Sequence, residues 1–551
     1  MVIDYLDRSS AVDFDVDVCI VGAGPAGISI ARTFIGTTTR VCVVESGGLR
    51  NEESIQKLYE GTSIGFPQLD PATCRMRAFG GSTNVWGGGC IPLDTLEMEP
   101  RDWVPHSGWP VSYRELEPHY QRARALCGVE SHEFMAGSFL THPARAPVEF
   151  DARTLVNQVF VLSPVLFGEA YRSELEQAAN ITLLLHANLL ELEASSAGST
   201  VRQACITSLD GRKGTVRARQ YVLACGGIEN ARLLLLSNSA VPQGLGNQHD
   251  LVGRYFMDHP SGKLGTISTD IPDGLTRPYD RSGGKGRVPA FPELCLSAEA
   301  ARENHMLSAR VRPVAVEGAL PRGIRALRDL RSRLHPAGRD ENISLDGCMS
   351  APEACSSAVG DEQEKFATLA MRVMAGTGDI AGAFMRKLAD KPTVKTEHID
   401  LIGYFEQAPN PHSRITLGSE CDVLGQRKVC VDWQLTSLDW HTYRTAGALF
   451  GAELARACRG QFHPEPWLQG RSDQAPALRG TAHHMGTTRM ADSPQDGVVD
   501  RDCKVHGVDN LYVVGSSVFP TSSWAFPTFT IVAMSVRLAD HLRGLLEMAG
   551  L

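Results

Sequence analysis

Residues 16–27 read Val-Asp-Val-Cys-Ile-Val-Gly-Ala-Gly-Pro-Ala-Gly, and this stretch decides the predicted fold. The first six residues are a short apolar run rich in β-branched side chains, which is typical of a buried parallel strand. The glycines follow at once, and residues 28–34 then have helical spacing. A second apolar run, residues 40–44, ends in Glu45. This order of strand, glycine turn, helix and strand predicts a nucleotide-binding α/β unit.

The glycines and the acidic residue each have a mechanical role in binding a dinucleotide. We expect Gly22 to allow the tight turn, Gly24 to let the backbone approach a pyrophosphate, and Gly27 to let the helix pack on the strand. The pyrophosphate would lie at a helix N-terminus, where free N–H groups favour anions. Glu45, 18 residues beyond Gly27, is placed to accept hydrogen bonds from ribose hydroxyls and disfavours NADP. The motif alone does not separate FAD from NAD.

Composition and charge argue against several other functions. A chain of 551 residues is too long for one simple core, so two joined domains are expected. The formal net charge of -9 argues against a nucleic-acid partner. The sequence has no apolar run long enough for an integral membrane segment and no secretory signal pattern. Its 14 cysteines include no CxxC pair, so we predict a cytoplasmic protein without a metal site.

Further glycine-rich motifs follow along the chain. Residues 77–92 read Arg-Ala-Phe-Gly-Gly-Ser-Thr-Asn-Val-Trp-Gly-Gly-Gly-Cys-Ile-Pro, a pattern that predicts a backbone loop pressed against a flat ligand. Residues 218–234 predict another strand, glycine turn and helix. Near the C-terminus, residues 483–490 read His-His-Met-Gly-Thr-Thr-Arg-Met, and residues 525–528 read Ala-Phe-Pro-Thr before a predicted helix over 529–542.

Taken together, these motifs resemble the glucose–methanol–choline (GMC) family of FAD oxidoreductases, nearest its pyranose-oxidase-like bacterial members. The resemblance also rests on Gly108-Trp109-Pro110, on Asp258-His259-Pro260 and on residues 406–411, Glu-Gln-Ala-Pro-Asn-Pro. The resemblance implies FAD rather than NAD. It also implies an α/β fold with a Rossmann-like FAD-binding domain and a discontinuous α+β substrate-binding domain, whose antiparallel sheet roofs the flavin. It adds these residues to the expected cofactor site: Gly81, Ser82, Trp86, Gly87, Gly88, Gly515, Ser516, Pro527 and Thr528.

The same resemblance implies the domain boundaries. We expect the FAD-binding domain to comprise residues 1–95, 180–262 and 472–551, and the substrate-binding domain to comprise 96–179 and 263–471. Two runs, 414–417 and 428–433, predict strands of the sheet above the flavin. Residues 320–391 predict a helical insertion, with helices over 320–334 and 363–388 and a loop over 336–359. The insertion is interpreted as a packed helical element, as a lid or entry channel, or as a membrane- or partner-docking surface.

The expected catalytic residues lie near the C-terminus. The resemblance places His483 opposite the flavin N5 as the base, with His484 as the second candidate. The family usually has Asn or His before the Pro-Thr pair, but here that position is Phe526, which offers no hydrogen bond. Ser523, Trp524 or His484 could replace the missing group, or the substrate could be held elsewhere.

Two expectations concern the cofactor itself. Pro527 is suited to the first position of the C-terminal helix. In the family, the N-terminus of this helix points at the flavin, and the helix dipole stabilises the negative charge of the reduced ring. Pyranose oxidases tether FAD through a histidine in the glycine-rich loop, and the matching position here is Val85. A valine cannot form that bond, so we expect noncovalent FAD.

The sequence thus predicts an FAD-dependent oxidase or dehydrogenase. Its reaction would convert a CH–OH group of a sugar, polyol or sugar-containing metabolite to a carbonyl by hydride transfer to flavin N5. Its partners would be a small-molecule alcohol and O₂ or another electron acceptor. Two alternatives remain open. The first is flavin chemistry without oxidation, such as elimination or light-driven decarboxylation, and Phe526 makes it less remote. The second is a flavin-binding protein without turnover.

Overall fold

A computed structural model describes residues 1–7, 13–73, 75–130, 134, 149–279, 289–318, 320–334, 366–388, 394–470 and 477–550. Its strands are β1 (Val2–Asp4), β2 (Asp13–Val21), β3 (Val41–Val44), β4 (Gly61–Phe66), β5 (Gly89–Cys90), β6 (Leu155–Leu162), β7 (Ile181–Leu185), β8 (Asn188–Ala194), β9 (Val201–Thr207), β10 (Lys213–Leu223), β11 (Ser261–Ser268), β12 (Ala290–Leu296), β13 (Ala309–Glu317), β14 (Thr396–Phe405), β15 (Arg414–Cys421), β16 (Arg427–Gln434), β17 (Gln461–Pro464) and β18 (Leu511–Val513).

The helices of the described residues connect and cover these strands. They are α1 (Pro25–Thr33), α2 (Glu53–Gln56), α3 (Thr95–Met98), α4 (Tyr113–Leu126), α5 (Phe167–Ala170), α6 (Arg172–Gln177), α7 (Gly226–Leu236), α8 (Pro272–Thr276), α9 (Ala298–Glu303), α10 (Arg322–Leu334), α11 (Phe366–Ala375), α12 (Thr377–Leu388), α13 (Ser437–Ala457) and α14 (Pro527–Gly550). Both α1 and α14 begin at a proline, a residue that suits a first turn because its missing N–H would have no helical partner there.

The first sheet is the nucleotide-binding sheet. Its strand order is β1-β7-β3-β2-β10-β9-β8, and β18 pairs with the C-terminal half of β10. The pairings from β1 to β10 are parallel, and β9 and β8 continue the sheet antiparallel. All four residues of β3 are buried, as expected for a parallel strand covered on both faces. Helix α1 packs on α14, and α14 packs on α4. The predicted α/β fold is confirmed.

The second sheet is wholly antiparallel, in the order β17-β11-β14-β13-β12-β6-β5. A separate apolar core lies between its β11, β13 and β14 strands and helix α13. Strands β13 and β14 form one of its longest pairings, with Arg310 opposite Tyr404. This sheet therefore brings side chains from the middle of the chain to the candidate site.

The third sheet corrects one expectation. Residues 414–417 and 428–433 do lie in strands, β15 and β16, which pair antiparallel. However, β16 continues in parallel with β4, so the hairpin belongs to a small separate sheet of three strands. The expectation that these two runs belong to the antiparallel sheet above the flavin was therefore wrong, because β16 pairs with β4 rather than with a strand of the seven-stranded sheet.

The helical insertion is present as α10, α11 and α12. Gly376, between α11 and α12, lies against α10: a Cβ atom at Gly376 would be 2.1 Å from the Gly323 Cα atom. Met374 and Met385 are 65% and 63% exposed, so these helices present apolar side chains outward. The predicted loop over 336–359 lies outside the described residues, and the lid and docking interpretations remain predictions. In the described part of the chain, no helix is both long and apolar enough to cross a membrane.

Candidate active site

One cavity collects the residues that the sequence motifs predicted. It extends from an end at Glu45 and Glu229, here called the Glu45 end, to an end at His483 and Phe526, here called the His483 end. Every predicted site residue except Gly27 lines it: Gly22, Gly24, Glu45, Gly81, Ser82, Trp86, Gly87, Gly88, His483, His484, Gly515, Ser516, Phe526, Pro527 and Thr528. The motifs are far apart in sequence, so the fold, rather than the chain order, creates this site.

Gly27 has a packing position instead. A Cβ atom there would lie 1.9 Å from the Gly22 carbonyl oxygen, so α1 approaches the end of β2 as closely as a glycine allows. Gly22 has φ +101°, and a side chain on it would meet the Ala224 carbonyl oxygen at 2.7 Å. These two glycines let the first helix begin immediately at the cavity wall.

The backbone of the cavity is suited to a pyrophosphate. The N-terminal residues Pro25, Gly226 and Pro527 of helices α1, α7 and α14 all line the cavity, and helix N-termini present free N–H groups and positive dipole ends. Gly24 and Gly81 face each other, since a Cβ atom on Gly81 would lie 2.9 Å from the Gly24 Cα atom. Side chains at these positions would fill the space that a ligand needs.

Glu45 is held as a hydrogen-bond acceptor at the end of β3. Its carboxylate accepts hydrogen bonds from the Ala23 N–H at 3.0 Å and the Gly47 N–H at 2.9 Å. Burial raises the pKa of Glu45, and these backbone hydrogen bonds oppose that rise. Each carboxylate oxygen has a further lone pair for a ribose hydroxyl. Together with the opposed glycines and the helix N-termini, this carboxylate fits a dinucleotide.

A cluster of arginines at the Glu45 end was not predicted from the sequence. Glu229 is buried and accepts hydrogen bonds from Arg75 at 3.0 Å, Arg77 at 2.9 Å and Arg232 at 3.3 Å. Burial alone would raise the pKa of Glu229, but the three guanidinium groups outweigh it and lower the pKa to about 2. Since Arg232 also binds Asp422, in the β15–β16 turn, this end combines three cations with two paired carboxylates.

His483 lies at the other end of the cavity in a fixed backbone segment. Asp258 accepts hydrogen bonds from the N–H groups of Thr481, Ala482 and His483, at 3.3, 3.1 and 2.9 Å. Ala482 has φ +61°, an uncommon conformation for a residue with a side chain, and these hydrogen bonds hold it there. The Asp258 carboxylate therefore sets the direction in which the His483 side chain leaves the backbone.

The environment of His483 keeps its imidazole neutral. Burial lowers its pKa well below the usual 6.5, and the neighbouring His259, Arg310 and His484 lower it further. A neutral imidazole has one nitrogen with a free lone pair, which is the form that accepts a proton. The Phe526 ring lies 5.5 Å away and nearly perpendicular to the imidazole.

His484 has a different surrounding, although it also lines the cavity. Its ring stacks on Phe256 at 5.8 Å, and its backbone carbonyl accepts a hydrogen bond from the Ser516 hydroxyl at 2.6 Å. Burial, followed by the charge of Arg75, lowers the pKa of His484 to about 3. The structure thus separates the histidine doublet: His483 lies beside Phe526, and His484 lies toward Phe256 and Gly227.

Phe526 forms an apolar wall where a polar residue was expected. Its ring packs on Gly89, where a Cβ atom would lie 2.7 Å from the ring, and meets Phe160 edge to face at 5.0 Å. Ser523 and Trp524 do not line this cavity, so they are poorly placed to substitute for the missing polar group; the Ser523 hydroxyl instead accepts the Ala525 N–H at 2.9 Å.

Arg310, which the sequence did not single out, supplies a polar group at this end. Its guanidinium carbon lies 3.8 Å from the centre of the Tyr404 ring and 5.0 Å from that of Phe526. Glu293 pairs with both Arg310 and Arg312, so two cations share one buried carboxylate. The Nε atom of Arg310 is buried and has no hydrogen-bond partner within the described residues. The His483 end therefore combines a neutral base with a buried, positively charged donor.

Comparison with known proteins supports the same interpretation. Residues 409–535 match the family model described as GMC oxidoreductase. The chain is 25% identical to 6'''-hydroxyparomomycin C oxidase from Streptomyces lividus, over 96% of this chain and 92% of that protein. It is 22% identical to paromamine 6'-oxidase from Streptomyces fradiae, over 96% and 91%. A structure of formate oxidase from Aspergillus oryzae, determined to study FAD modification, has the same fold, with a TM-score of 0.55, 17% identity and coverage of 98% and 100%.

Proposed function

Because the chain belongs to the GMC family of FAD-dependent oxidoreductases, which oxidise CH–OH groups, we propose that its substrate is a sugar, polyol or sugar-containing metabolite and that His483 is the base. The observation that carries this proposal is the neutral His483 imidazole beside the Arg310 guanidinium at one end of the dinucleotide cavity. The non-oxidative alternative rested on Phe526, and it loses that support because Arg310 restores a polar group next to Phe526.

FAD would be held by the backbone and carboxylate groups described above. Glu45 would bind the adenosine ribose, and the N-termini of α1 and α7 would face the pyrophosphate. Bound FAD supplies an oxidised ring that takes up a hydride. Val85 lines the cavity and carries no nucleophilic atom, which supports noncovalent binding. These residues lie in segments 1–95, 180–262 and 472–551, which supports the proposed division into an FAD-binding and a substrate-binding domain.

In the proposed reaction His483 takes the hydroxyl proton of the substrate. The O–H bond breaks and its proton passes to the imidazole, while the hydrogen on the carbinol carbon leaves with the electron pair of its C–H bond. The carbon–oxygen bond becomes a double bond, so the substrate loses two electrons and two hydrogens. The Phe526 and Tyr404 rings line the cavity beside His483, and Phe160 packs edge to face on Phe526, so the surroundings of the base are largely apolar.

Arg310 would hold the oxygen atoms of the substrate. Its buried guanidinium donates hydrogen bonds from a low-dielectric site, where a hydrogen bond from a charged donor is strong. It would also stabilise the partial negative charge that develops on the substrate oxygen as the proton leaves.

The Arg310→Gln variant is expected to retain FAD but to reduce its flavin about 10- to 100-fold more slowly, since a hydrogen bond to a charged group is lost. Stopped-flow absorbance under anaerobic conditions measures this rate. Arg310→Lys, which keeps the charge, should lose less. Phe526→Asn should restore part of the rate in the Arg310→Gln background. An unchanged rate in Arg310→Gln would contradict the proposed role.

The function itself is tested by anaerobic flavin absorbance with a panel of alcohols. We expect the flavin band to bleach with a sugar, aminosugar or polyol, such as glucose, glucosamine or sorbitol. Admitting air afterwards distinguishes O₂ from another electron acceptor by the rate at which the band returns. Stoichiometric FAD without bleaching by any member of the panel would count against the proposed function.

A further inference from the structure

We propose that His259 is a positioning residue that fixes the tautomer of His483, so that Nε2 of His483 is the atom that accepts the proton. This inference deepens the proposed function and rests on His483 being the base. The two rings lie 5.0 Å apart at 73°, and their Nδ1 atoms are 3.0 Å apart. A hydrogen bond between two imidazoles at this distance requires one Nδ1 to donate and the other to accept.

A backbone carbonyl decides which imidazole donates. Nε2 of His259 lies 3.1 Å from the Ser522 carbonyl oxygen, which can only accept, so Nε2 of His259 carries a hydrogen. Burial lowers the pKa of His259 to about 4, and a neutral imidazole has only one N–H. Nδ1 of His259 is therefore the acceptor, and Nδ1 of His483 must be the donor. The lone pair of neutral His483 is then on Nε2.

A second hydrogen-bond chain is compatible with the same assignment. The Thr481 hydroxyl donates to the Asp258 carboxylate at 3.2 Å, because a carboxylate accepts. Its oxygen lies 2.9 Å from Nδ1 of His483 and so presents a lone pair to that nitrogen. The His483 Nδ1–H thus has two acceptors, His259 and Thr481. In the opposite tautomer, Nδ1 of His483 would turn a lone pair toward that of His259, which is repulsive.

The fixed tautomer has a consequence for catalysis. Nε2 is on the side of the imidazole away from His259, so the bare nitrogen is the one free to meet a substrate. When Nε2 takes the proton, His483 becomes a cation and its Nδ1–H hydrogen bonds become charge-assisted and stronger. The charged and titratable groups that face His483 are His259 and Asp258 from the loop before β11, Arg310 from β13 and the adjacent His484. Of these, His259 alone makes a side-chain hydrogen bond to the imidazole.

Nitrogen NMR tests the tautomer without any substrate. Magic-angle-spinning ¹⁵N spectra of histidine-labelled holoenzyme, assigned by comparison with His483→Asn, should show His483 with a protonated Nδ1 and a bare Nε2 between about pH 6 and 8. In His259→Leu the two nitrogens should approach averaged shifts, and in His259→Asn, whose amide oxygen replaces the acceptor, the wild-type pattern should return. A protonated Nε2 in the wild type would overturn the proposal, whether or not an alcohol substrate has been found.

Flavin reduction tests the catalytic consequence. With the alcohol that bleaches the flavin fastest, His259→Leu should lower the reduction rate about 10- to 100-fold while retaining FAD, because a charge-assisted hydrogen bond is lost. His259→Asn should recover most of the rate. The double variant His259→Leu/Thr481→Val should lose more than the product of the single losses, because each single variant keeps one acceptor. Independent, multiplicative losses or loss of FAD in parallel with the rate would show a purely structural role.

Discussion

Replacing His483 with asparagine is expected to leave FAD bound at full occupancy and to lower the rate of flavin reduction by about 10²- to 10⁴-fold, the range for a lost general base. Asparagine has a similar size and retains hydrogen-bonding capacity, but its amide does not take up a proton near neutral pH. The His483 backbone N–H that binds Asp258 is unchanged by the substitution, so the local conformation should persist. The loss should therefore appear in the chemical step rather than in cofactor binding.

The measurement is single-turnover flavin reduction by the best alcohol of the panel, with FAD content determined on the same protein. His441→Asn is the matched control, because His441 is exposed on α13 and its side chain hydrogen-bonds the Asn304 carbonyl oxygen, at 2.9 Å. The control should reduce its flavin at the wild-type rate. A His483→Asn protein that also keeps that rate would exclude His483 as the base and would direct attention to His484.

The cofactor half of the site could be predicted from the sequence because its determinants are local. A glycine followed by a helix start, as at Gly24 and Pro25, acts through its own backbone conformation and through neighbours in the next turn. The same is true of Gly27, which packs on Gly22 five residues earlier. The role of such positions depends on local backbone geometry alone, so they could be predicted from the sequence without the rest of the fold.

The substrate half could not be predicted, because its key contacts join distant segments. Arg310 reaches Phe526 only because β13 pairs with β14 and β12, and nothing in its neighbours distinguishes it from a surface arginine on a strand. His259 was visible within the Asp258-His259-Pro260 motif, but its role depends on His483, 224 residues later. The departure at Phe526 was visible in the sequence, whereas the Arg310 guanidinium beside its ring was visible only in the three-dimensional structure.

The wrong prediction about the β15–β16 hairpin has a related cause. Strand patterns in β15 and β16 show that residues alternate between a buried and an exposed face, but they carry no information about which sheet edge is available. In the structure that edge is β4, which the sequence did not suggest. The hairpin turn consequently lines the cavity near Arg232 through Asp422, whereas Arg310 and Tyr404, from the second sheet, line it at the His483 end.

A buried ion pair between Arg101 and Glu406 lies at the end of β14 in the second sheet. Glu406 follows β14 directly and is fully buried, and the Arg101 guanidinium donates to its two oxygens at 2.8 and 2.5 Å. The pair fixes the end of β14, close to Tyr404. Burial alone would raise the pKa of Glu406, but Arg101 and the Ser308 hydrogen bonds outweigh it and lower the pKa. The nearby Glu97 forms no ion pair within the described part of the chain, and burial followed by the charge of Glu406 raises its pKa to about 7.

Arg101→Met is therefore expected to destabilise the protein by about 3–5 kcal/mol at pH 8, because it leaves a buried carboxylate without its cation. The urea concentration at half unfolding measures the change. In the wild type the lowered pKa means that the contribution of Glu406 is present above its unfolded pKa and is lost as the pH falls through the folded pKa. In the Arg101→Met variant the pKa of Glu406 rises instead, so Glu406 becomes protonated as the pH falls. The difference in free energy of unfolding between the variant and the wild type should therefore be smaller at pH 5 than at pH 8. The double variant Arg101→Met/Glu406→Gln should recover most of the stability at pH 8. If the single and the double variant lose the same free energy of unfolding, the lost packing of Arg101, rather than the unpaired charge, is responsible.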